Sequence, residues 1–338
     1  MTQEPQLFNP ECGNLLRKIA DVVHSHRRFL VCGHIRPDGD CIGSQMALYY
    51  LLKQMGKDVR LYNAGPILDF FLFMPGIELL SDRLDPSFDP EVCFCLDCGA
   101  INRIAEGFSP PGFVINMDHH KSNDMYGDIN YVDARATAVG EQVFHLAAIL
   151  DESLSPEMGT SIYLALLSDS GSFRYANTTP LTFAVAARAV AAGANPSRIA
   201  EQFYDNRTRE SVALKAQVFS RMRFSCGGAL VWGEITQNMY QDAGGEMNEP
   251  DGLVSEMRGI RGVWTSILFH EIPEGGIRAG LRSRGKMDVS VIAAEMGGGG
   301  HVNASGCFVR GDYAALRDRL LEIAERHVSA FVAGVETK

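Results

Sequence analysis

Long apolar runs, an excess of basic residues and a complete set of thiolate metal ligands are all missing from this sequence. No stretch approaches the ~18 consecutive apolar residues of a membrane-spanning helix, so no membrane association is expected. The start, MTQEPQLFNPECGN, has no basic segment followed by an apolar core, which argues against a secretory leader. The formal net charge is −10. Affinity for long duplex nucleic acid comes mainly from cations set against phosphates, so such a partner is not expected. A small phosphorylated ligand is not excluded, because local cations reverse a local field. Neither an internal repeat nor a low-complexity tract is present. Of the eight cysteines, Cys93, Cys95 and Cys98 in VCFCLDCGA invite a zinc reading. Yet Cys93 and Cys95 would share one face of a strand, and no second CxxC or nearby His completes a tetrahedral set. Buried, reduced thiols are the expectation, and with them a reducing, cytoplasmic setting.

What is present suffices for two domains with real cores: 338 residues, 46% of them apolar and 21% charged. The first half alternates continuous apolar runs (29–33, 57–63, 92–97 and 112–118) with helix-like stretches (43–56, 138–152, 156–171 and 180–193). Runs without polar alternation are those of parallel strands covered on both faces. This predicts an α/β fold with a doubly wound, mostly parallel sheet, in which ligands gather beyond the carboxyl ends of the strands. From about residue 226 the pattern changes to strands at 227–235, 262–272 and 276–284, with EIPEGG as a hairpin turn and helices at 286–296 and 313–332. The expected organisation is a catalytic α/β domain over 1–196, a helical connector over 197–225 and a smaller α+β domain over 226–338, with a cleft between the domains.

Four places put acids or histidines at the ends of predicted strands or on inner helix faces. They are His34, Asp38 and Asp40 in HIRPDGDCIGS; Asp97 in CLDCGA; Asp118, His119 and His120 in NMDHHKSN; and Asp169 in LLSDSGSFRYANTT. Taken singly, PDGD reads equally as a solvated turn and Asp97 as a cap residue. The DHH run at the end of GFVINM is different, because two imidazoles and a carboxylate beside buried strand ends need partners. Jointly the four places point to a metal site. The acids and imidazoles outnumber what one cation uses, and mixed oxygen and nitrogen donors suit Mn²⁺ or Mg²⁺. Two cations sharing one Asp clamp both sides of an in-line phosphoryl displacement, and water held between them becomes a hydroxide nucleophile. In the second domain, residues 258–286 carry six Arg or Lys (Arg258, Arg261, Arg278, Arg282, Arg284, Lys286) against Glu271 and Glu274. GGGGH, ending at His301, reads either as a flexible loop or as a nest of backbone N–H groups around an anion.

In order, HIRPDGDCIGS, CLDCGA, NMDHH and SDSGSFRYANTT resemble the four signature blocks of the DHH phosphoesterases. GLRSRGK followed by GGGGHVNASG resembles the family's associated C-terminal substrate-binding domain, so the likeness spans about residues 14–335. The resemblance implies two Mn²⁺, with Mg²⁺ or Co²⁺ as substitutes. His34 and Asp38 would bind one ion, Asp40, His119 and Asp169 the other, and Asp97 both. It makes Asp118 the group that orients the block and His120 the acid facing the scissile phosphate. It places Arg282, Ser283, Lys286, Gly298, Gly299, Gly300 and His301 at the terminal phosphate and base end, with Arg174 and Asn177 lining the same cleft. Two positions depart from the usual pattern: Cys41 stands where alanine is common, and Ser170 where threonine is common. The two-domain layout without additions is similar to the branch that degrades oligoribonucleotides of two to five residues to 5′-mononucleotides and removes the 3′-phosphate of pAp. Short single-stranded RNA and pAp are therefore the expected partners, and a homodimer is an expectation from the family. A phosphodiesterase for linear dinucleotides (pApA, pGpG), a single-strand exonuclease of the RecJ type and a non-catalytic nucleotide-binding regulator are the alternatives.

Overall fold

The computed structural model describes residues 10–244 and 252–336. The chain divides between Asn206 and Arg207 into two compact units.

The first unit runs α1 (Pro10–Ser25), β1 (Arg28–Cys32), α2 (Gly39–Gln54), β2 (Asp58–Tyr62), β3 (Leu80–Ser81), β4 (Val92–Leu96), β5 (Phe113–Asp118) and β6 (Ile129–Val132). Helices α3 (Val139–Ile149), α4 (Pro156–Asp169), α5 (Pro180–Ala192) and α6 (Pro196–Tyr204) follow. All six strands pair in parallel, in the order β3-β2-β1-β4-β5-β6. The chain grows outward from β1 in one direction and then from β4 in the other. The crevice between β1 and β4 is thus the switch point at which open α/β sheets hold ligands. Continuous apolar runs mark the central strands because both faces are buried. Phe29, Val31, Phe94 and Leu96 enter the large core with the helices. Leu30, Cys32, Cys93 and Cys95 enter a smaller core closed by Ile101, Ile104 and Phe108. The expected common face of Cys93 and Cys95 is therefore present, and every described cysteine is a free thiol. Strand β3 has two residues and β6 only four, interrupted by Asn130, so neither stands out as an apolar run.

Helix α2 begins four residues earlier than its apolar pattern suggests. Asp38 is the reason: its carboxylate accepts from the Asp40 and Cys41 amides at 3.1 and 3.0 Å and caps the first turn. Nearly every side of α2 is buried, so there is no polar stripe to mark the start. Gly43 lets α2 lie directly on α4, since a Cβ there would fall 2.5 Å from Ser161 O and 2.9 Å from the Ala165 nitrogen. We expect Gly43→Val to cost about 1–3 kcal/mol by overpacking, read as a lower thermal midpoint. Gly56→Asn, at a left-handed helix end with no atom within 4 Å of the new Cβ, should shift it little.

The second unit contains α7 (Arg209–Arg221), β7 (Arg223–Ser225), β8 (Leu230–Ile235), α8 (Gln237–Ala243), α9 (Leu253–Arg258), β9 (Thr265–Glu271) and β10 (Ile277–Ser283). It ends with α10 (Ser290–Ala294), β11 (Gly299–His301), β12 (Ala304–Val309) and α11 (Tyr313–Glu336). Its sheet runs β11-β12-β10-β9-β8-β7, antiparallel except for the β8–β9 pair. The EIPEGG segment makes the expected β9–β10 hairpin. The stretch expected as a helical connector, 197–225, carries α6 and α7, one in each unit. No described helix is long and apolar enough to cross a membrane.

Candidate metal centre

The six candidate ligands are brought together where β1, β4 and β5 end. His34 follows β1, Asp97 follows β4, and His119 follows β5. Asp38 and Asp40 come from the start of α2, and Asp169 ends α4.

Two groups share Asp97. On one side His34 Nε2 lies 3.4 Å from Asp97 Oδ2 and 3.9 Å from Asp38 Oδ1. On the other, His119 Nε2 lies 3.2 Å from Asp169 Oδ2, 3.5 Å from Asp97 Oδ1 and 3.8 Å from Asp40 Oδ2. Each oxygen of Asp97 thus faces a different imidazole. The rings are held from behind: Nδ1 of His34 faces Ile35 O at 2.9 Å, and Nδ1 of His119 faces Ala136 O at 3.1 Å. With Nδ1–H donated to a carbonyl, each Nε2 turns a lone pair toward carboxylate oxygens. That arrangement repels itself unless a proton or a cation sits between.

The electrostatics carry the same message. Burial and the charges of Asp97 and Asp169 push Asp40 well above the usual carboxylate range. Burial opposes charging of His119, but Asp169 and Asp97 overcome it and hold the imidazole well above its ordinary value. Burial also works against Asp97, yet the His119 and His34 contacts and the His120 charge hold it well below the carboxylate range. Such a cluster retains protons that a divalent cation can replace. Asp97 Oδ1 is buried with no hydrogen-bond donor among the described residues, and the Asp97 backbone is left-handed at φ 53°. A buried carboxylate oxygen lacking a donor, on a strained residue between two imidazoles, fits a cation. His34 with Cys41 and Asp97, and Asp40 with His119 and Asp169, form groups that could hold a metal ion.

Asp40 has a second task. Its oxygens accept from Val139 N at 2.7 Å and Gly140 N at 3.0 Å, capping α3 from another element. Ala138 offers no side chain for that purpose, and the helix N-terminus offsets the burial of the carboxylate. Asp118 receives His119 N at 2.8 Å and His120 Nδ1 at 2.7 Å on one oxygen, and Asn123 Nδ2 at 2.6 Å on the other. It thereby fixes the His120 ring, with Gln142 holding its carbonyl at 2.7 Å. Asn123 and Gln142 were not singled out by sequence; a short polar loop and a helix amide carry no distinctive signal. Asn177 donates to Asp169 O at 3.0 Å and Thr137 O at 3.3 Å, and Arg174 Nε to Gly171 O at 2.7 Å. Both hold the loop that follows Asp169.

In the second unit, Arg282 and His301 both pair in register with Ala304, which puts them on one face of the sheet. Lys286 is exposed. Two expectations are corrected. Ser283 is fully buried, donates to Met287 O and accepts from Asn303 Nδ2 at 2.8 Å, so its hydroxyl serves the fold rather than a phosphate. Nor is the glycine tract an open nest. The amides of Gly297 and Gly298 close α10 on Ala294 O and Ala293 O. Gly299 and Gly300 form β11 against β12. Glycine is required because a Cβ at 298 would strike Gly306 O at 2.2 Å, and Gly300 has φ 137°.

Comparison with known proteins follows the same division. The model of the DHH family, N-terminal domain, matches residues 28–167, and that of the DHHA1 domain matches 235–332. The chain is 32% identical over 322 residues to the bifunctional oligoribonuclease and PAP phosphatase NrnA of Thermus thermophilus, covering 95% of this chain and 96% of that protein. It is 27% identical over 305 residues to the protein of the same name from Bacillus subtilis, covering 87% and 92%. An exopolyphosphatase-related protein from Bacteroides fragilis has a crystal structure that superposes with a TM-score of 0.84 at 25% identity, over 94% of this chain and 96% of that one.

Proposed function

Because this chain belongs to the DHH family, with a DHHA1 domain following the DHH domain in sequence, we propose that it hydrolyses oligoribonucleotides of two to five residues to 5′-mononucleotides and removes the 3′-phosphate of pAp, using two Mn²⁺. The observation that carries this reading is the placement of the two Asp97 oxygens, one toward His34 and one toward His119. His34 and Asp38 would hold one cation and Asp40, His119 and Asp169 the other, with Asp97 available to both. When bound, the pair supplies positive charge that neutralises the phosphate and acidifies water. The relatives named as oligoribonuclease and PAP phosphatase support the substrate class.

The protein's own groups perform the rest. Asp118 takes Nδ1 of His120, so the ring keeps one orientation and a stable protonation state. Burial works against that charge, but Asp118 and Asp97 raise the imidazole above its ordinary value. In its protonated form His120 would give its proton to the leaving oxygen. Arg282, Lys286 and His301 bind the terminal phosphate, Gly298, Gly299 and Gly300 shape the surface beside them, and Arg174 and Asn177 support the loop that follows Asp169. A net charge of −10 accords with short substrates, since few phosphates need neutralising.

The test is a turnover panel with Mn²⁺ over pAp, pGpG, a pentamer and a 24-mer. Fast hydrolysis of the first three and slow hydrolysis of the last is expected. Rapid degradation of the 24-mer with neglect of the dimer overturns the proposal in favour of a processive exonuclease. Unaltered dinucleotide after long incubation overturns it in favour of a binding protein.

A further inference from the structure

One side chain in the His34 half of the centre is used neither by the motif nor by the mechanism above. Cys41 lies in the first turn of α2, completely buried. Its Sγ, a ring nitrogen of His34 and a carboxylate oxygen of Asp97 all lie within 4.8 Å of one another. The surroundings present the sulfur as an electron-pair donor. Gln45 Nε2 donates to it at 3.4 Å and Asn63 Nδ2 at 3.9 Å; the backbone acceptor nearest its own S–H, His34 O, is 4.0 Å away, and the His34 side chain is its other polar partner. Gly33 provides the room, because a Cβ there would fall 2.3 Å from the Cys41 sulfur. The alanine common at position 41 in similar blocks would leave that space without a ligating atom.

We propose that Cys41 is a sulfur ligand of the cation held by His34 and Asp97, and that it biases this half of the centre toward borderline and soft divalent ions such as Zn²⁺, Co²⁺ and Cd²⁺. The proposal rests on the reading of His34 and Asp97 as metal ligands. The sulfur lone pair forms the bond to the cation, the thiol proton leaves to solvent, and no oxidation state changes. A thiolate is stable there only with the cation, since burial alone keeps a thiol protonated. Imidazole, carboxylate and thiolate together form a set that hard Mg²⁺ uses poorly and thiophilic ions use well. The Gln45 and Asn63 amides aim the sulfur and share its charge, as outer partners of metal ligands do.

Cobalt separates this idea from the reading beneath it. Metal-free protein is titrated with Co²⁺ and followed in the visible, where bound ion absorbs, and in the near ultraviolet, where sulfur-to-cobalt charge transfer absorbs. Cd²⁺ affinity is measured alongside by calorimetry. Both bands are expected in the unaltered protein. The isosteric Cys41→Ser should keep the visible band, lose the charge-transfer band, and bind Cd²⁺ about 10–100-fold more weakly, the scale seen when the support of a metal site is removed. Cys307→Ala, in the second unit, should change neither. A charge-transfer band that survives in Cys41→Ser, or visible absorption without charge transfer in the unaltered protein, overturns the sulfur ligand alone. Failure of Co²⁺ to bind at all overturns the metal centre itself.

Discussion

Asp97→Asn is expected to reduce turnover by at least about 10²–10³-fold while leaving the fold in place, the scale on which removal of a preorganised electrostatic partner acts. The shape of the side chain is kept, and Asn tolerates the left-handed backbone found at this position (φ 53°). What is lost is one negative charge and one acceptor oxygen. An amide has a single acceptor, so it faces either His34 or His119 with a lone pair, and the other with N–H groups. One half of the centre therefore loses its shared ligand whichever way the amide turns. The metal-free protein should lose a little stability, because the His119 and His34 contacts that hold Asp97 below the carboxylate range are weakened, offset in part by relief of the repulsion that raises Asp40. The measurement is kcat with saturating Mn²⁺ together with the thermal midpoint of the metal-free protein. Near-native turnover would show that Asp97 is not the bridge, and a collapsed midpoint would show that its part is structural.

The candidate ligands could be named from the sequence because metal chemistry restricts residue type. Few alternatives explain Asp-His-His at the end of a buried strand, and the strand ends of a parallel sheet converge whatever separates them in the chain. The two surprises lie where a side chain acts on backbone. Asp40 caps α3, about a hundred residues away, and nothing local in ATAVGEQ reveals that its missing cap is supplied from elsewhere. The glycine tract is a similar case: flexibility and close packing both demand glycine, and only the partner strand distinguishes them. Once β12 is in place, Gly298 is explained by the Gly306 carbonyl against it. Ser283 stood in an Arg-Ser-Arg run that suggests phosphate binding, but strand alternation turns Arg282 and Ser283 to opposite faces. Asn123 and Gln142 stayed silent for a different reason. Polar side chains that support ligands have the composition of any loop or helix surface, although these two bear directly on Asp118.

Stripping the protein of divalent cations is expected to abolish hydrolysis and to lower its thermal midpoint, by an amount that grows with pH. The first part follows from the proposed mechanism, in which the cations supply the charge that neutralises the phosphate and acidifies water. The second follows from linkage. His34 and His119 are buried, which opposes charging, but their neighbours raise both above 6.5. Their stabilising contribution is full below that value and is lost as pH rises through the folded values. Asp40, raised above 3.8 by burial and by Asp97 and Asp169, also favours its protonated form and loses stability in the same direction. Asp97, held below 3.8, has the opposite sign, but its contribution changes only in acid. From about pH 6.5 upward the metal-free protein should therefore weaken. Added Mn²⁺ competes with those protons and gains affinity over the same range. At a thousandfold excess over its Kd, a cation stabilises by about 4 kcal/mol. Midpoints with chelator and with Mn²⁺, measured at about pH 6, 7 and 8, give the comparison. A gap that widens with pH is the expected result; a gap that narrows, or turnover that persists in chelator, removes the cations from the account.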